Sequence, residues 1–140
     1  MHERRGMLMP TLSRYMTPQP WTIRKDARIA EAHGLMRQHD IRHLPVVDAG
    51  KLIGIVSERD LQLLEGVRCV DPNELRVEHA MVQPVYSASV DTPVDEVVEH
   101  MAETKLGSTI ALDRTGNVTG IFTTVDALQF YADLLRRVTA

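Results

Sequence analysis

The apolar positions of this chain recur with two spacings, and the succession of spacings occurs twice. Ile29, Ala32 and Met36 stand at i, i+3 and i+7, and Val94, Val97, Val98 and Met101 fill the same stripe more completely. Two amphipathic helices are predicted. Thr92 before Pro93 adds a start signal, a hydroxyl to cap and proline at the first helical position. Each stripe is followed by two short apolar runs, "RHLPVVD" with "KLIGIVS" and "STIALD" with "NVTGIFT", broken at Ala49-Gly50 and Thr115-Gly116. Such pairs read as hairpins. A second helical pattern closes each round, "ERDLQLLEGV" and "TVDALQFYADLLRRV". The polar stretch "RCVDPNELRVEHA", which contains Pro72, reads as a linker.

The two rounds align residue by residue. With Met16 set on Met81, Thr22 meets Ser87, Asp26 meets Asp91, Ile29 meets Val94, Met36 meets Met101 and Ile41 meets Leu106. After one inserted residue in the second round, "GKLIGIVSERD" falls on "GNVTGIFTTVD". Internal repetition of this kind marks a unit that buries its apolar face against its twin, so neither half is expected to fold well alone. The expected division is a tail at residues 1–11, repeats at 12–68 and 77–140, and a linker at 69–76.

The repeated phrase carries the candidate chemistry. Gly54 and Gly120 end a strand where a larger side chain would obstruct an approaching ligand, and Ser57 and Thr123 fall at a helix entry. The free amides of a first helical turn suit a phosphate, and Asp60 or Asp126, three residues on, can accept hydrogen bonds from both hydroxyls of a ribose. The same spacing also fits a capping box, in which hydroxyl and acid satisfy the turn's own amides. Both readings stand on the residues alone.

Composition narrows the classes. The chain has 140 residues, 44% of them hydrophobic, enough for one compact core or two small units sharing one. Its 16 Lys+Arg against 19 Asp+Glu leave a net charge of -3, so no basic field exists for nucleic acid or an anionic membrane. The basic "HERRG" lies at the terminus and reads as a tail. Cys69, the single cysteine, precludes an intramolecular disulfide and points to a reducing, cytoplasmic setting. No signal peptide and no apolar run near the roughly 18 residues of a membrane span is evident.

The element order, with "YMTPQPWTI" and "AMVQPVYSA" opening the copies, "IRHLPVVD" in the first, and the paired "GIVSERD" and "GIFTTVD", resembles the cystathionine β-synthase (CBS) domain. Two in tandem resemble the Bateman module, over about residues 12 to 137. The resemblance implies an α/β (α+β) fold of two pseudo-symmetric β-α-β-β-α repeats packed sheet to sheet, with clefts between them. It also implies a role as a regulatory, non-catalytic binder of an adenosine nucleotide. By the same resemblance Asp60 and Asp126 hold ribose, Ser57 and Thr123 lie near phosphates, and Arg42 or His43, ahead of Pro45, reaches a phosphate. Adenine lies against Ile23 or Ala88, with Thr22 or Ser87 nearby, although plain core packing explains these aliphatics equally well. Gly107 and Ser108 align with Arg42 and His43 and carry no charge, so at most one tight nucleotide site is expected. AMP, ADP or ATP is favoured over S-adenosylmethionine or NAD, because the two basic side chains suit a phosphate. No obligatory cofactor is implied.

Other constellations carry less. His39 and His43 have helical ligand spacing, but Ile41–Asp48 reads as a strand and no third ligand is near, so no metal is expected. Ser13, Ser57 and Cys69 lack any nucleophile context, and neither a Walker loop nor GxGxxG occurs, so no enzyme is expected. The methionines follow the helical spacing and read as core. Leu128, Phe130, Tyr131, Leu134, Leu135 and Val138 give the last helix more apolar surface than a small module hides, which predicts a homodimer. A regulated protein in trans is the expected further partner, unless the chain is a piece of a larger one. The rival reading is a ligand-free dimerisation or partner-docking module.

Overall fold

The structure, a computed structural model, describes residues 8–68, 71 and 73–139. Met1 to Met7 of the expected tail and Cys69 and Pro72 of the expected linker lie outside the described residues. In chain order the elements are α1 (Leu12–Tyr15), β1 (Thr17–Pro18), β2 (Ile23–Arg24), α2 (Ile29–His39), β3 (His43–Asp48), β4 (Lys51–Ser57) and α3 (Glu58–Arg68). A 3-10 turn (Val77–His79) follows, then β5 (Ser87–Ser89), α4 (Val94–Thr104), β6 (Ser108–Leu112), β7 (Val118–Thr123) and α5 (Thr124–Thr139). The mixed α+β class and both hairpins are as the periodicity predicts.

The described residues form two compact units. One is Pro20–Val85, with a sheet in the order β2-β3-β4, β2 parallel and β4 antiparallel to β3. Leu44, Val46 and Val56 alternate onto one face of it and meet Ile29, Ala32 and Met36 of α2 and Leu61 of α3. Each such buried aliphatic stabilises by about 1.5–3 kcal/mol, so this stripe accounts for the helix docking. The expected linker is only partly a linker. Leu75 and Val77 are buried in this core, and the backbone N–H groups of Val77 and Glu78 donate to the carbonyls of Ala27 and Lys25.

The other unit joins the chain's described opening, up to Gln19, to the residues from Tyr86 onward. Its sheet runs β1-β7-β6-β5, again with a parallel first pair, β5·β6, and an antiparallel hairpin, β6·β7. Phe122, Ala111, Val94, Val97, Met101 and Phe130 make its core, joined by Leu12 of α1, a helix the periodicity does not predict. Helix α4 starts differently from expectation. Pro93 is the N-cap residue and makes no side-chain capping bond, while the Val94 N–H donates 2.9 Å to the Pro10 carbonyl, so the arriving arm takes over the cap.

The repeat reaches into irregular detail. Both α2 and α4 end on a left-handed residue, Asp40 and Lys105, whose N–H closes on Met36 and Met101. Both hairpins slip register at matched places, between Val46 and Val47 and between Ala111 and Leu112. The inserted residue sits in the second turn, where the Asp113 side chain accepts hydrogen bonds from Thr115 and Asn117. The first turn is the tight Ala49-Gly50 pair, both at positive φ, the geometry that matches strand twist. Thr17 pairs with Ile121, and Val82 bridges Ile55, so each copy's opening segment edges the sheet built from the other copy's hairpin.

Candidate functional site

Each hairpin delivers its second strand into the first turn of a helix, and the repeated phrase lies there. Antiparallel pairing sets His43 opposite Ser57 and Pro45 opposite Ile55, on the sheet face away from Leu44 and Val46. The Glu58 N–H donates 2.9 Å to the Arg42 carbonyl, tying the strand's entry to the helix start. Ser57 and Asp60 then form the full reciprocal box. The Ser57 N–H donates to Asp60 Oδ2 and the Asp60 N–H donates to Ser57 Oγ, each at 3.1 Å. Asp60 Oδ1 has no hydrogen-bond partner among the described residues.

The second phrase repeats the geometry with different surroundings. Asp126 Oδ2 accepts from the Thr123 N–H at 2.8 Å and from Thr123 Oγ1 at 3.3 Å, and the Thr124 N–H donates 3.2 Å to the Gly107 carbonyl. Ser108 pairs with Thr123 where His43 pairs with Ser57. No Lys, Arg or His lies on β6 or β7, the hairpin that leads into this aspartate's helix, and burial pushes its carboxyl above the usual range, opposed by the two bonds from Thr123. Capping is therefore what both aspartates do within the chain.

The structure thus gathers Arg42, His43, Ser57 and Asp60 at one turn and Thr123 and Asp126 at another. Burial holds the His43 imidazole below its ordinary pKa, the Asp60 carboxylate acts the opposite way, and Arg42 adds to the lowering. Arg42 is exposed and makes no ion pair among the described residues. Thr22 is exposed just before β2, whereas the Ile23 side chain, 4% exposed, lies in the helix-side core opposite Val46. Its side chain does the packing job. Ala88 likewise packs on its core, and Ser87 stands beside it in β5, half-buried. Pro45 is buried.

The repeated glycines have a role the sequence reading misses. A Cβ on Gly54 would stand 2.8 Å from Met81 Sδ, and one on Gly120 would stand 2.9 Å from Met16 Cγ. The space reserved in expectation for a ligand holds a methionine. The signal was present, because Met16 and Met81 align with each other just as the two glycines do. His39 is also accounted for, since its ring stacks on Trp21 at 3.9 Å. Among the described residues no group of three His, Cys, Asp or Glu could hold a metal ion, and no helix is long and apolar enough to cross a membrane.

The CBS domain family matches residues 12–64 and again residues 77–133. Over 117 residues, 83% of the chain, the sequence is 30% identical to L-aspartate semialdehyde sulfurtransferase of Methanocaldococcus jannaschii, of which it spans 22%. An inosine-5'-monophosphate dehydrogenase of Thermoplasma acidophilum is also 30% identical, over 108 residues and 77% of this chain. The chain spans about a fifth of the length of these curated relatives. The CBS domain pair of protein MJ0100, solved in complex with 5'-methylthioadenosine and S-adenosyl-L-methionine, has a TM-score of 0.80 at 28% identity. That match covers 90% of this chain and 98% of that one.

Proposed function

Because this chain belongs to the CBS domain family, with two copies in tandem, we propose that it is a regulatory module that binds an adenosine nucleotide of the AMP, ADP or ATP class. The observation that carries this reading is the chemistry at the Ser57–Asp60 turn. A guanidinium with no ion pair among the described residues and a half-buried imidazole accompany a carboxylate one of whose oxygens has no partner among those residues, at a helix start. The carboxylate suits a ribose diol, and Arg42 with His43 suits a phosphate. The adenosine ligands of MJ0100 support the nucleoside part of the reading. The Asp126 turn, without a cation, is the weaker site. Binding shifts the population between arrangements of the module and is read by a protein in trans, in the cytoplasm, with no catalysis by the chain itself.

Docking without a ligand is the competing reading, favoured by the fact that both aspartates are already engaged as caps. Titration calorimetry with AMP, ATP and S-adenosylmethionine separates the two. Heat from AMP that vanishes in Asp60→Ala while the fold persists supports binding. Absence of heat from all three compounds retires the nucleotide reading. We also propose that the module is a homodimer through α5. Val125, Leu128, Tyr131, Leu135 and Val138 form an exposed apolar stripe there, while Phe130 and Leu134 of the same helix face the core.

A further inference from the structure

The two basic residues at the Ser57–Asp60 turn differ in kind. Arg42 is permanently charged, exposed and unpaired among the described residues, so it draws an anion without changing state. His43, the first residue of β3, is half-buried, with uncharged Ser57 across the ladder on β4, Asp60 hydrogen-bonded to that Ser57 from the first turn of α3, and Arg42 just before the strand. These are the charged groups that act on the ring, and they pull in opposite directions. Burial decides for the neutral imidazole. A phosphate arriving beside Arg42 adds a second negative neighbour and tips that balance toward the imidazolium.

We propose that His43 takes up a proton when a nucleoside phosphate binds at the Ser57–Asp60 turn, so that the module holds its nucleotide more tightly as the medium acidifies. This regulation rests on the nucleotide-binding reading above. It requires the phosphate, not the nucleoside: adenosine brings no charge to the ring and leaves it neutral. By linkage, uptake of one proton makes the association constant rise by up to tenfold per pH unit through the window where His43 changes state. At the Asp126 turn Ser108 occupies the matching place, so no such uptake occurs there.

Calorimetry of the full chain with AMP and with adenosine, in buffers of different ionisation enthalpy and at pH values from 5.5 to 8, chosen to span the imidazole range, counts the protons taken up. The AMP phosphate itself titrates in this range, so the comparison is with His43→Gln, in which that contribution is unchanged. The expected result is a greater proton uptake on AMP binding in the unaltered protein, approaching one. The affinity gap between the two proteins should widen as pH falls, with no gap for adenosine. Nuclear magnetic resonance of the labelled His43 ring in the unaltered protein gives the same answer without a substitution. Its titration midpoint should move up with AMP and stay in place with adenosine. Heat from AMP with equal proton uptake in both proteins, or a ring whose midpoint AMP leaves unmoved, overturns the His43 mechanism while leaving nucleotide binding intact. No heat from either compound sinks both.

Discussion

Replacing Gly54 by alanine sets two effects of opposite sign against each other. Gly54 does not occupy the left-handed region, so alanine fits its backbone, and restricting the unfolded chain favours the variant by about 0.4–1 kcal/mol. Against this, the new Cβ meets Met81 at 2.8 Å from Sδ, 3.1 Å from Cγ and 3.3 Å from Cβ. Rotating the methionine relieves the first two contacts but not the third, because its Cβ moves only with the backbone. That backbone is held by the Met81 N–H on the Val77 carbonyl and by the paired bonds between Val82 and Ile55. Overpacking of this kind costs about 1–3 kcal/mol. The net expectation is a loss of about 1 kcal/mol, the difference between the middles of those ranges. Urea unfolding followed by the fluorescence of Trp21, the single tryptophan and a member of the same unit, reads it directly. Met81→Ala in the same background removes Sδ and Cγ, and with them the cost of turning that side chain out of its packed position but not the Cβ contact, so the double variant should lose less than the sum of the singles, by up to about 1 kcal/mol of coupling. A Gly54→Ala protein as stable as the parent, or strict additivity, would refute the packing argument.

Thr109→Val should stabilise, because Thr109 is fully buried and its hydroxyl has no partner among the described residues; relieving such a group is worth about 1–3 kcal/mol, visible as a higher urea midpoint. Ser57→Ala should cost about 1 kcal/mol through the lost cap on α3, measured in the same way. Asp126 has a raised folded pKa, so its stabilising contribution is complete below the ordinary value of 3.8 and is lost as pH rises through the raised one. Asp126→Asn should therefore gain on the parent across that window, and urea midpoints from acid to neutral pH that keep a constant difference would contradict this. Leu128→Arg with Leu135→Arg should shift the protein to monomer by light scattering without loss of helix signal, since both side chains are on the exposed stripe of α5.

Much of the fold is legible because it is governed by local rules. The stripe Val94, Val97, Met101 is buried as its spacing requires, and Leu44, Val46 and Val56 alternate inward as strands must. The register of the repeat likewise places Gly107 and Ser108 where Arg42 and His43 stand in the other copy. What escapes is non-local. Helix α1 is four residues long, too short for a periodic signal, and forms because Leu12 finds a core whose other members come after residue 90. Leu75 and Val77 look like linker because their neighbours are polar, yet they are buried against Ile29 and Ala27, which bond the Leu75 carbonyl and the Val77 N–H from some fifty residues earlier by number. The role of the glycines was obscured in the same way. A close contact between Gly54 and Met81 belongs to the tertiary fold, and no window of sequence contains both ends of it.

Because each opening arm edges the hairpin sheet of the other copy, the piece of chain that was copied is not the piece that folds. A lone ancestral copy would have carried an arm with no strand of its own to lie against, and would have found one only by trading arms with a second molecule. Joining the two copies in one chain turns that encounter into an intramolecular event, with the concentration of the partner set by the tether instead of by the cell.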